Sequence, residues 1–283
     1  MRVSLVLGSG GARGYAHIGV IEELVAAGIS IESISGSSMG ALVGGLYAAG
    51  GMEEYKEWVL TLDVFDVATL LDLSFDKRGL IKGEKVFKKL EEIIGYRKIE
   101  DLPIKFTAVA SDIKANKEIW FQEGDLLQAI RASISIPSFF TPVEWNDTLL
   151  VDGGVLNPLP VAPTMSDHTD AIIAVNVYGK GEKPAIELPK EVQKKQGKLE
   201  KAKEKLKKYS QKLIQEGEYN FFDIVDMSYD ALQQTLIRYR LAGYPPDHLI
   251  EISQKVCGTY DFHKAYEVIE AGREAAKSFL KTL

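Results

Sequence analysis

Three short stretches carry the residue types that can do chemistry. Gly36-Ser37-Ser38-Met39-Gly40 is a Gly-x-Ser-x-Gly pattern lying between an apolar strand-like segment and a helix-like one. That is the context of a nucleophile elbow, where a sharp turn holds the serine in a strained conformation and small residues such as Gly36 and Gly40 must flank it. The Ser38 hydroxyl then stands at a helix N-terminus, whose N–H groups and dipole favour negative charge. A small-residue turn that only packs a helix onto a sheet has the same five residues. The second stretch is Gly8-Ser9-Gly10-Gly11-Ala12-Arg13-Gly14. It fails as a dinucleotide loop, because the third glycine would fall where Arg13 stands, and no Gly-Lys-Ser/Thr follows to make a phosphate loop. Successive glycines expose N–H groups at the start of a helix and let a substrate approach, which suits stabilisation of an oxyanion. The third stretch is Asp152-Gly153-Gly154, which puts a carboxylate into a loop region where sites are built. Taken alone, it favours an Asx turn in which the carboxylate caps its own backbone.

These stretches need elements to position them. Residues 3–7 are an apolar run of strand length, and helical spacing of His17, Ile18, Val20, Ile21, Leu24 and Val25 follows, ended by Gly28. Residues 31–35 read as the next strand, and 41–49 as the helix after the elbow. Strand–helix–strand–helix implies a parallel sheet between helices, whose strands end at one shared edge. Helices are expected over 53–62, 83–94, 125–133, 221–241 and 263–280. Strands are expected over 104–113, 118–121, 149–151, 172–177 and 248–252. Residues 63–79 lack a clear period and read as a cap or entrance, with Phe65, Leu70, Leu71, Leu73 and Phe75 as candidates for an acyl-chain path or for plain core packing. Phe139, Phe140 and Pro142 sit in an apolar loop. Residues 190–215 form a lysine-rich helix with Val192, Leu199, Ala202, Leu206, Tyr209 and Leu213 at heptad-like spacing, interrupted by Lys195. Its apolar stripe can pack on the parent domain or on a second copy, and its lysine face can lie on anionic lipid.

Composition sets the outer limits. A chain of 283 residues that is 46% hydrophobic can bury the core of one large domain or two small ones. The net charge of −6 gives no reason to expect nucleic acid. The single cysteine, Cys257, excludes an internal disulfide and a Cys-rich metal site, and fits a reducing compartment. The apolar start reads as a strand rather than a signal peptide, and no segment approaches a membrane span.

Taken together, the blocks resemble the patatin-like phospholipases, especially their small bacterial members. The matching residues are Gly10-Gly11-Ala12-Arg13-Gly14 with His17-Ile18-Gly19-Val20, then Gly36-Ser37-Ser38-Met39-Gly40. They continue with Arg131-Ala132-Ser133, Pro137, Phe140-Thr141-Pro142-Val143, and Asp152-Gly153-Gly154 with Asn157-Pro158. Order and spacing match from about residue 3 to 178. Ser9 is a departure, standing where many relatives have a further glycine, and about 183–218 lies outside the pattern. The resemblance implies a three-layer α/β/α fold with a mostly parallel central sheet, in one acyl hydrolase domain spanning 1–283. It implies a catalytic dyad of Ser38 as nucleophile and Asp152 as general base, with no histidine and no cofactor or metal. The oxyanion loop would be Gly10 to Gly14, with Gly10, Gly11 and Ala12 as its chief donors, and Arg13 more suited to structuring the loop than to holding phosphate. His17, His168, His248 and His263 sit in segments that do not force a triad. The expected partner is a phospholipid or other acyl ester, met in the cytoplasm or peripherally at a membrane, by a monomer or a homo-oligomer. An acyltransferase or thioesterase with the same dyad, or a non-catalytic regulatory or membrane-binding protein on the same fold, are the alternatives.

Overall fold

The computed structural model describes residues 1–70, 83–137, 139–190, 192 and 221–283, with only the backbone of 221–223. Its centre is a run of buried apolar strands. β1 (Arg2–Leu7) and β7 (Ala171–Gly179) are apolar along nearly their whole length, the composition of strands covered on both faces. Around them the sheet order is β5-β6-β3-β2-β1-β7-β8, with β4 also paired to β3. β2 (Ser30–Ser37), β3 (Lys105–Asp112) and β8 (His248–Ser253) join β1 and β7 in a parallel set. β4 (Lys117–Phe121), β5 (Val143–Trp145) and β6 (Thr148–Asp152) pair antiparallel at the β3 side.

Crossover handedness distributes the helices. α1 (Ala16–Ala26) links β1 to β2, and α2 (Met39–Ala48) opens the path from β2 to β3, so both lie on one face. α3 (Met52–Thr61), α4 (Val64–Leu70) and α5 (Glu84–Ile94) continue that connection. α6 (Leu126–Ser133) starts at Asp125, whose carboxylate accepts the Gln128 N–H at 2.9 Å, an N-cap. α7 (Phe221–Gly243) connects β7 to β8 in the opposite direction along the sheet and therefore takes the other face. α8 (Ala265–Leu280) packs along α1.

Two features differ from the sequence reading. The apolar loop after Pro137 runs into a strand, β5, hairpinned to β6 through Asn146 and Asp147, both at positive φ (43° and 62°). Two left-handed residues in a two-residue loop make the turn that matches strand twist, and Trp145 seats edge-on against Phe121 at 5.2 Å. Residues 63–79 begin as helix α4, with Val67 buried and Phe65 facing solvent. Leu71, Leu73 and Phe75 lie outside the described residues, as does the lysine-rich segment apart from Lys190 and Val192.

Candidate active site

Ser38 links β2 to α2 in one step. Its φ is +55° and ψ −125°, a backbone region that side-chain-bearing residues avoid, so the turn stores strain at the serine. Its N–H donates to Ser133 Oγ at 2.9 Å, and Ser133 in turn donates to the Val109 carbonyl at 2.6 Å. That chain of bonds ties the elbow to α6 and β3. The Ser38 hydroxyl, at 1% exposure, donates to Asp152 Oδ2 at 2.5 Å.

Asp152 reaches the serine by an unexpected route. The expectation was a strand ending at the shared edge of a parallel sheet. β6 instead runs antiparallel to β3. It enters from beyond the carboxyl edge and overlaps β3 only from Leu150 to Asp152, so it stops with Asp152 opposite Ala110. The register of β2 on β3 sets Ser37 beside Val109, one residue away. The overlap is short enough that an antiparallel strand still delivers its last residue to the same rim. Asp152 also closes an Asx turn, because Oδ1 accepts the Gly154 N–H at 2.7 Å. The Asx turn uses one carboxylate oxygen and leaves the other on the Ser38 hydroxyl.

Asp152 is fully buried, and burial is the main reason its pKa rises to about 7; the bonds from Ser38 and Gly154, and the nearness of the Tyr229 hydroxyl, oppose that rise. A carboxyl titrating there is a far better match for a general base at neutral pH than a free aspartate.

The glycine loop follows β1 and turns as a short 3₁₀ segment, Gly11–Tyr15. Gly8 and Ser9 donate to the carbonyls of Val175 and Pro158, at 3.1 and 2.8 Å. The Ala12 N–H is spent on the Thr259 carbonyl at 2.8 Å, and the Arg13 N–H on Gly10 at 3.2 Å. Gly14 lies inside the 3₁₀ turn. Among the described residues no acceptor meets the N–H groups of Gly10 and Gly11, so the free donors narrow from five residues to these two. Gly11 needs to be glycine: its φ is +55°, and a Cβ there would collide with the Thr259 carbonyl. Arg13 is held inward. Its guanidinium forks onto Asp230 at 2.9 and 3.3 Å, donates to the carbonyls of Gln254 and Cys257, and stacks on the Tyr178 ring.

Ser38 also heads a cavity whose other lining residues are apolar or aromatic. Met39 and Leu42 come from α2, Tyr55 and Trp58 from α3, Val67 and Leu70 from α4, Val86 from α5, and Ile134, Ile136 and Phe140 from the segment after α6. Of the sequence candidates for this path, Leu70 lines it and Phe65 does not. Such a wall takes a hydrocarbon chain and offers almost nothing to a charged one.

A family model for patatin-like phospholipases matches residues 5–165, more than half of the chain. The chain belongs to the patatin-like phospholipase family. Proteins of Mycobacterium bovis and Mycobacterium tuberculosis, each described as an uncharacterized NTE family protein, are 37% identical over 329 residues, covering 99% of this chain and 91% of theirs. The mouse patatin-like phospholipase domain-containing protein 6 is 30% identical over 187 residues, 64% of this chain and 14% of that protein. Among solved structures, VipD from Legionella pneumophila aligns over 99% of this chain and 66% of its own, with a TM-score of 0.49 and 14% identity. Membership implies hydrolase chemistry on lipid and the patatin-like α/β fold.

In this patatin-like site no histidine stands beside the serine. His17 is fully buried with Nε2 donating to the Gly8 carbonyl at 2.8 Å, which pins the exit of β1; burial lowers its pKa to about 4 and keeps it neutral. His168 is exposed, His248 packs against Phe279, and His263 faces Asp261. No helix among the described residues is long and apolar enough to cross a membrane. Sequence reasoning passed over three contributors: Thr259, Tyr229 and Asp230. All come from the last quarter of the chain, where no motif marks them; only helical spacing on α7 groups the last two.

Proposed function

We propose that this protein hydrolyses lipid acyl esters, as a phospholipase A, lysophospholipase or carboxylesterase, through an acyl-enzyme on Ser38 with Asp152 as the sole general base. The observation that carries the reading is the Ser38–Asp152 hydrogen bond of 2.5 Å at the head of an apolar cavity. As Ser38 Oγ attacks the ester carbonyl, its proton passes to Asp152 Oδ2. The carbonyl oxygen, now anionic, takes the free N–H groups of Gly10 and Gly11, beside the N-terminus of α2. Collapse expels the alcohol, which leaves with the proton from Asp152. A water then gives its proton to Asp152 and attacks the acyl carbon; the tetrahedral adduct releases the fatty acid, and Ser38 recovers the proton.

The hydrocarbon chain lies along the wall built by α2, α3 and α4, and the substrate is drawn from a membrane surface that the protein meets peripherally. A fluorophosphonate ester probe tests the core of this reading. The native protein should be labelled covalently at Ser38, and Ser38→Ala should abolish labelling; an unlabelled native protein would leave a binding role on the same fold.

A further inference from the structure

Helix α7 lies outside the stretch matched by the family model, yet one of its faces reaches both the glycine loop and the Asp152–Gly154 turn. Residues 229, 230, 233, 237 and 240 share that face by helical spacing. Ile237 is buried in the core, and Asp230 holds Arg13 and so the glycine loop. Arg240 donates to the Leu156 carbonyl at 2.8 Å and pairs with Glu118 at 2.5 Å, and Glu118 accepts the Asn157 side-chain amide at 2.9 Å. Gln233, 1% exposed, abuts the Asp152–Gly154 turn, since a Cβ on Gly154 would fall 2.6 Å from Gln233 Nε2.

Between these anchors two polar atoms are buried without a partner at full hydrogen-bond geometry among the described residues: the Tyr229 hydroxyl and Gln233 Oε1. The Tyr229 hydroxyl lies near Asp152, whose oxygens already accept from Ser38 and Gly154, and the Gln233 amide nitrogen sits at the Asp152–Gly154 turn. The other groups facing this carboxyl are Tyr178 from the end of β7 and Tyr260 from the segment before α8, with the Arg13–Asp230 pair behind Tyr178. No cation contacts it among the described residues. An unpartnered buried hydroxyl is costly unless something uses its proton.

We propose that Tyr229, braced by Gln233 on the same helix, is a positioning residue that donates to the Asp152 carboxylate and stabilises its ionised, base-competent form. The inference rests on the Ser38–Asp152 reading. The Tyr229 hydroxyl has one proton, and the ionised Asp152 carboxylate is the strongest acceptor near it, while the Gln233 amide can donate to the tyrosine oxygen. The direction of the Tyr229 contribution to the Asp152 pKa, downward, agrees with this.

The test is the pH dependence of kcat/KM on a soluble p-nitrophenyl ester, with the full chain. Tyr229→Phe keeps the ring and removes the donor. Its acid limb should move up by about one pH unit, a roughly tenfold loss at pH 6, with rates at pH 9 nearly those of the parent and KM unchanged. Site-specific 3-fluorotyrosine at 229, a stronger donor, should move the limb the other way, and this arm remains if the Phe variant fails to fold. An equal loss at all pH values, or an unmoved limb, would overturn the proposal. Asp152→Asn separates the two claims: if it is inactive while Tyr229→Phe leaves the limb in place, only the positioning role falls, whereas full activity in Asp152→Asn removes the dyad itself.

Discussion

The two sides of Ser38 are built by opposite rules. On one side lie Asp152, the glycine loop and the polar face of α7, where nearly every group is fixed by a named bond to backbone or to another buried polar atom. On the other side lies an apolar wall contributed by four successive helices, α2 to α5, and the segment after α6, whose residues touch by shape alone. Errors on the first side leave buried polar groups unsatisfied, at about 1–3 kcal/mol each or more where charge is involved. Errors on the second side change volume, which a peripheral helix absorbs by shifting. On the proposed reading, the chemistry is anchored on strand ends, and the fit to an acyl chain is left to elements that can vary without disturbing it.

The sharpest way to break this contrast is to change one atom on the polar side. Asp152→Asn keeps the shape and removes the proposed base. Its kcat should fall by about 10³-fold or more, with KM for short esters little changed, in a steady-state assay at pH 8. Next in size is Gly11→Ala, which displaces one of the two proposed oxyanion donors and meets the Thr259 carbonyl. A loss of roughly 10²–10³ in kcat is expected while circular dichroism stays native. Retained activity would move the oxyanion contact to the α2 N-terminus.

The polar side was also the more legible in sequence, for a physical reason. Ser38, Gly10 and Gly11 announce themselves because strained turns and exposed N–H groups admit few residue types, and the mostly apolar β1 leads straight into the glycine loop. Asp152 was legible as a residue but not as a geometry: nothing in 148–152 says whether that strand runs with or against its neighbour, and only pairing with β3 decides it. The β5–β6 hairpin had a signal in Asn146-Asp147 that the apolar residues before it masked. The α7 contacts were invisible because Tyr229, Asp230 and Gln233 are ordinary residues on a helix until the fold brings that face to the site. The cavity wall was half legible: an acyl path was expected near residue 70, but whether Phe65 faces in or out depends on the phase of a seven-residue helix.

A third prediction concerns stability rather than rate. The Asp152 pKa in the fold, about 7, lies above the ordinary unfolded value near 3.9. The folded state therefore holds a proton that the unfolded chain has released, and this group's contribution to stability falls as pH rises from about 4 to about 7. Asparagine has no such dependence, so Asp152→Asn should be the more stable protein at pH 8, by up to about 4 kcal/mol, and the gain should vanish near pH 4 in denaturant titrations. His17 works in the opposite sense. Its folded pKa of about 4 lies below the ordinary 6.5, so its contribution is present above pH 6.5 and is lost as pH falls toward 4. In Asp152→Asn that acid-side decline should stand alone.

The smallest effect belongs to the apolar side, and it tests whether that side is separable at all. Val67 lies on α4, a short peripheral helix, and its side chain meets the cavity. Val67→Trp adds an indole to the wall without touching β2, β6 or the glycine loop. If the cavity holds the acyl chain, filling it should lower kcat/KM for dodecanoyl esters about tenfold relative to butyryl esters, since one or two displaced methylenes carry about 1–3 kcal/mol of discrimination. The fluorophosphonate labelling rate with a short probe should be unchanged, because Ser38, Asp152 and their donors have not moved. A proportional loss on both chain lengths would mean that α4 is coupled to the elbow through Met39 and Leu42, and that the two sides form one mechanical unit. A loss confined to the long chain would show that chain-length preference is set on α4 independently of the proton machinery.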